Sequence, residues 1–230
     1  MPRLADGGAR TDPRFGAGLL SVQDAARCLA LPPRTFRRWA VSHDGQPLIH
    51  VLPAERPQAR VPFIALAEAH VLTALRQAGL RIAKARPALK ALQREFGRDY
   101  VLAARELATD GIDLLWDFSR NIPGDGEPLM VAGTNQLVFR EIVAGYLKYL
   151  TWADDGYPRM LRLAAFEPAD VVVDIDRAFG QPIFAETRVR VSDVAAMVNA
   201  GENPHEVALE YEVTDDDVWA ATRVLLGKAA

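Results

Sequence analysis

Pro32 and Pro33 constrain this chain more than any other pair of residues. The run LLSVQDAARCLALPPRTFRRWA (residues 19–40) carries a helical apolar period, with Val22, Ala25, Ala26 and Leu29 at i, i+3, i+4 and i+7. A helix does not continue through two prolines, so the run must become two short helices around a tight turn. Ser21 is placed to cap the first, and Asp24 three residues on completes a box-like pair. Pro33 suits the first position of the second. There Phe36, Trp39 and Ala40 face inward and Arg34, Thr35, Arg37 and Arg38 outward. A short helix with three outward arginines, held by a tight turn against a small apolar helix, matches a recognition helix for a DNA major groove. The same arginines also fit a solvated face of an ordinary helix pair. On DNA they would pair with guanine edges or with phosphates, and both stay open.

Charge divides the chain. Residues 1–98 hold 16 Lys and Arg against 7 Asp and Glu, a net of +9. Residues 99–170 hold 6 against 12 and residues 171–230 hold 5 against 11, each a net of −6, so the total of −3 hides the contrast. One end is expected to grip nucleic acid and the other to meet a protein. The lone Cys28 excludes an intrachain disulfide. No apolar run approaches the roughly 20 residues that span a bilayer. Residues 1–18 lack a signal-peptide core and read as a loose leader, which leaves a cytoplasmic protein as the expectation.

Beyond the second helix, Leu48–Leu52 reads as a strand, Pro53 to Arg60 as a loop and Arg60–Phe63 as the return. A long helix is expected from Ile64 to Ala78, closed by Gly79. The next helix would place Ile82, Ala85, Leu89, Leu92 and Phe96 on one face, with Pro87 tolerable near its first turn. This order, ending in LRQAGL (Leu75–Leu80) and a further helix, resembles the DNA-binding domain of MerR-family regulators over residues 19–98. The resemblance implies that Arg37 and Arg38 sit in the groove and that Arg56 or Arg60 on the wing meets the backbone. With Ser21, Arg34 and Thr35 these complete the expected DNA-binding set. MerR regulators continue into a long dimerisation helix and an effector site, which this chain lacks.

Residues 99–168 read as a β-hairpin-rich middle. Asp110-Gly111 between residues 106–109 and 112–115 predicts a hairpin turn. A second hairpin is expected across Gly133-Thr134-Asn135, joining Pro128–Ala132 to Gln136–Phe139, with a helix over Glu141–Leu150 following. Asp154-Asp155-Gly156 reads as a turn, because no further acids stand at calcium-loop spacing. The four histidines (His43, His50, His70, His205) have no HExxH or cysteine partner for zinc. No phosphate-loop or nucleophile-elbow motif is present, so neither an enzyme nor a metal or other cofactor is expected.

Residues 169–230 open with the strand Val171–Val173, a turn and second strand over Gly180–Phe184, and the alternating Thr187–Val191 with arginines outward. Three helices follow: one capped by Ser192 and stopped at Gly201, one capped by Asn203 with Pro204 first, one capped by Thr214. Asp215-Asp216-Asp217 suits the positive end of a helix dipole better than a metal. The pattern Gly180-x-Pro182-Ile183, Thr187-Arg188-Val189, Gly201, Thr214-x-x-Asp217-Val218 resembles a small antitoxin-type domain, with Glu186 and Glu212 departing from its usual Gly and Pro. The overall expectation is α+β, mainly α: a winged helix, a hairpin-rich middle and a three-helix, helix-turn-helix-like C-terminal domain. Together the parts resemble VapB-type antitoxins. That resemblance implies a protein that represses its own promoter and neutralises a PIN-like ribonuclease toxin, and a homodimer on a pseudo-palindromic site is expected from two-fold symmetry. Arg188 and Arg190 are the candidates to meet the toxin's carboxylates, or else they balance a locally acidic surface. The alternative is a stand-alone MerR-like transcriptional regulator with a protein-binding C-terminal domain.

Overall fold

Thirteen of the fifteen residues of Phe63–Gln77 are buried, as a helix apolar on every side must be. The computed structural model describes residues 12–41, 47–53, 59–82, 86–120 and 135–227, and this helix is their centre. Before it come α1 (Pro13–Gly16), α2 (Val22–Cys28) and α3 (Pro33–Ala40), so Phe63–Gln77 is α4. Gly79, at φ 95°, follows the end of α4 as expected, with both bounds of the helix one residue earlier than Ile64 to Ala78. Next is α5 (Arg86–Phe96), which starts at Arg86, so that Pro87 falls in its first turn.

The middle departs from expectation. Instead of a hairpin, residues 107–111 form one wide helical turn that runs into α6 (Ile112–Arg120). Leu107, Ile112, Leu115 and Trp116 are all buried, and burying that set outweighs the turn preference of Asp110-Gly111. Gly111 serves close packing instead: a Cβ there would lie 2.9 Å from Leu107 Cδ1. Gln136–Phe139, expected as a strand, begins α7 (Gln136–Leu147), which Asn135 caps through Val138 N at 2.9 Å. The rest of that expected hairpin, Pro128 to Thr134, lies outside the described residues.

The strands come later, as an antiparallel meander in the order β1 (Leu150–Trp152), β2 (Pro158–Arg162), β3 (Val171–Asp174) and β4 (Pro182–Phe184). Its register aligns Leu150, Leu161, Val173 and Pro182 across the sheet, and all four are buried. The sheet is followed by α8 (Val191–Ala200), α9 (Pro204–Tyr211) and α10 (Asp215–Leu226). The whole is α+β and mostly helical. Thr187–Val191 is not a strand: Arg188 takes a left-handed φ of 62° and its N–H donates to Phe184 O, which folds the segment into a turn. Helix α8 therefore begins at Val191 after Arg190, and Ser192 does not cap it. Asn203 and Thr214 cap α9 and α10 as expected.

One continuous apolar core joins the two ends. Helix α10 packs on α8 and also on α2. Gln181 Nε2 donates to Leu19 O at 2.6 Å. Residues 12–18, expected as part of a loose leader, are pinned: Arg14 bridges Asp12 and Asp155, and the Phe15 ring lies 4.9 Å from Tyr100 and 5.3 Å from Tyr157.

Candidate nucleic-acid interface

The turn between α2 and α3 is built by Ala30, which adopts φ 51°, while Leu31 N donates to Ala26 O at 2.8 Å. This ends α2 without a glycine and delivers the chain to Pro32, extended at φ −60° and ψ 130°, with Pro33 first in α3. Phe36 and Trp39 anchor α3 at 0% and 1% exposure. The Arg76 guanidinium lies 5.8 Å from the centre of the Trp39 ring, within cation–π range.

That anchoring turns Arg34, Arg37 and Arg38 to solvent, with Thr35 half-buried between them. The structure thus brings four of the predicted residues together on one eight-residue helix. Ser21 instead caps α2: its hydroxyl accepts from Asp24 N at 3.1 Å and donates to Asp24 Oδ2 at 2.6 Å. Arg60 is half-buried and its backbone N–H donates to Leu20 O. Arg56 lies outside the described residues.

The expected strand Leu48–Leu52 forms no ladder. Leu48 N and Ile49 N both donate to Trp39 O, the end of α3, and His50 N donates to Glu68 Oε2 at 2.8 Å. Leu52 N reaches Arg60 O, while Val61 pairs with Leu20. The segment after α3 is thus fastened to α3 and α4 in place of a partner strand.

Glu68 is 1% exposed and lies 2.7 Å from His50 Nδ1. Burial opposes a charge on His50, but the Glu68 carboxylate favours it more, and the His50 pKa is raised. Sequence reasoning missed this pair; a single acid within an otherwise apolar helix was its signal. Exposed Lys90 and Arg94 of α5 line the same cleft, beside His50 and Tyr100.

At the other end, exposed Arg188 sits on its left-handed turn, and Arg190 Nε donates to Asp193 Oδ2 at 2.9 Å. These two share a loop but stand on different structures, a turn and a helix cap. Asp170, Glu186, Glu212, Asp216 and Asp217 line a groove floored by Phe184 and Val213, so this end is acidic in space as well as in sequence. Among the described residues, no group of His, Cys, Asp and Glu is arranged to hold a metal, and no helix is long and apolar enough to cross a membrane.

Known proteins share both ends. Residues 18–89 match the family described as "Putative DNA-binding HTH domain", and residues 171–223 match one described as "Protein of unknown function (DUF433)". Over 223 residues the chain is 38% identical to the Mycobacterium tuberculosis protein named "Putative antitoxin VapB45", covering 89% of this chain and 92% of that protein. The crystal structure of Rv2018 from Mycobacterium tuberculosis superposes with a TM-score of 0.71 at 36% identity, covering 90% of this chain and 99% of that one.

Proposed function

The chain belongs to the family of the protein named "Putative antitoxin VapB45", and from that premise we propose that it is the antitoxin of a type II toxin–antitoxin system. In this reading it binds its own promoter as an autorepressor and neutralises a PIN-like ribonuclease. The observation that carries the reading is a helix-turn-helix exposing Arg34, Arg37 and Arg38 in one core with an acidic three-helix end. The first suits DNA phosphate and base edges, and the second suits a basic protein surface.

On DNA, α3 enters the major groove in a MerR-like pose, and Arg56 or Arg60 meets the backbone. A homodimer places two such helices on half-sites about 34–36 Å apart. On the toxin side, Arg188 reaches the nuclease carboxylates, which a guanidinium pairs bidentately. Arg190 joins it by exchanging its surface pair with Asp193, since an exposed pair of that kind contributes only about 0.2–1 kcal/mol. The protein acts by binding, in the cytoplasm, and needs no cofactor.

The test is co-expression of the tagged chain with the product of the neighbouring short reading frame, followed by purification at about 0.5 M salt, where surface charge is strongly screened. Stable copurification, with a ribonuclease that becomes active when the partner is stripped away, is the expected result. DNA binding without any partner would instead identify a stand-alone regulator.

A further inference from the structure

The segment between β3 and β4 holds three successive residues in the left-handed region: Ala178 at φ 45°, Phe179 at 54° and Gly180 at 70°. Only glycine adopts this conformation without a clash between Cβ and the following carbonyl. The segment is clamped from both sides. Gly180 N donates to Arg177 O at 2.8 Å and Gln181 N to Ala178 O at 3.0 Å. Gly180 abuts Leu19 so closely that a Cβ would lie 2.7 Å from Leu19 Cδ1, and the Gln181 side chain ties the base of the turn to Leu19 O. What the clamp displays is Phe179, 93% exposed.

Glycine at 179 would relieve the strain, and the phenyl ring contributes nothing to this chain's own core. Strain held at a residue whose side chain the fold does not use is grounds to look for a contact outside the chain. A fully exposed phenylalanine is the kind of side chain that dominates protein interfaces once buried in a partner's pocket. Charge selects the partner. Asp174 and Asp176 beside the turn are paired with Arg177 and Arg159, so the sign is set by the end as a whole: the stretch 171–230 holds 11 acids against 5 bases, and Glu186, Glu212, Asp216 and Asp217 line one groove there. That end as a whole repels phosphate, and a second copy meeting it through the same end would bring the same negative charge. A protein of opposite sign fits.

We propose that Phe179 is an anchor of the toxin interface, entering an apolar pocket rimmed by lysine or arginine on that protein; this rests on the antitoxin reading. The experiment titrates the full-length chain, Phe179→Gly and Phe179→Leu against the purified product of the neighbouring short reading frame. Thermal melts and sedimentation of each chain alone run in parallel. Phe179→Gly should melt at or above the wild-type temperature yet bind the partner at least about tenfold more weakly, as hot-spot truncations do; Phe179→Leu should fall between. Wild-type affinity in Phe179→Gly overturns this proposal alone. A wild-type chain that does not bind that protein overturns the antitoxin reading and this proposal with it. A self-associated form that Phe179→Gly dissociates while partner affinity is kept would mean that a second copy covers the ring, which also overturns the proposal.

Discussion

Ala30, half-buried His50 and buried His70 show how much single residues decide here. Ala30 takes the left-handed φ of 51° at the one place where α2 must turn into α3. A Cβ in that region costs roughly 1–2 kcal/mol, while glycine loses about 0.5–1 kcal/mol more backbone freedom on folding. Ala30→Gly should therefore raise stability by up to about 1 kcal/mol, seen as a higher urea midpoint at unchanged slope. A lower midpoint would show that the turn is not strained. The histidines pull in opposite directions with pH. The His50 pKa lies above the ordinary value, since Glu68 outweighs the opposing effect of burial. Its contribution to stability is complete below about pH 6.5 and is lost as pH rises through the raised value. Burial holds His70 below the ordinary value, against a 2.9 Å contact between Nε2 and Tyr146 O that favours the proton. Its contribution is intact above about pH 6.5 and is lost as pH falls through the lowered value. Proton NMR of the ring signals should give two midpoints on either side of that value, and coincident midpoints would refute the assignment.

Helix α3 is too short, at eight residues, to be stable alone; it exists because Phe36 and Trp39 are buried beneath it. Its arginines lie outside that support. Arg37→Ala combined with Arg38→Ala should leave the melting temperature near wild type. The double variant should flatten the slope of log affinity for operator DNA against log salt by about 0.9 for each phosphate contact removed. An unchanged slope with weakened binding would assign both arginines to base edges instead. The features that were legible are those of this local kind. The proline break, the apolar period of α2, the end of α4 at Gly79 and the caps at Asn203 and Thr214 each depend on residues a few positions apart. The misread elements fail in two ways: the turn signal of Asp110-Gly111 is overruled by the burial of Leu107 and Leu115, and the strand-like alternation of Thr187–Val191 by a left-handed turn at Arg188 closed on Phe184. The candidate sites divide in the same way. The outward face of α3 followed from its period, whereas the His50–Glu68 pair and the display of Phe179 depend on packing between separate elements.

The opposite charges of the two ends invite a picture of independent modules on a string, and the packing argues against it. Helix α10 rests on α2, Gln181 holds Leu19, Arg14 reaches Asp155, and the buried residues form a single cluster from Leu19 to Ala221. Removing either end would therefore expose the apolar back of the other. The cap of α10 offers a way to test this without touching the seam. The Thr214 hydroxyl accepts from Asp217 N at 3.1 Å, and the Asp217 carboxylate accepts from Thr214 N at 3.0 Å. Thr214→Ala should cost about 1 kcal/mol, as the loss of an N-cap usually does. If the chain unfolds as one unit, that loss must appear wherever exchange requires global opening. The innermost amides of α4, from Val71 to Leu75, should then exchange about fivefold faster in the variant, the factor that corresponds to about 1 kcal/mol. If the ends open separately, only amides in α8 to α10 will accelerate and those of α4 will keep their wild-type rates. The first outcome has a functional consequence: a partner that stabilises the acidic end would stabilise the helix-turn-helix with it, because both share one unfolding equilibrium.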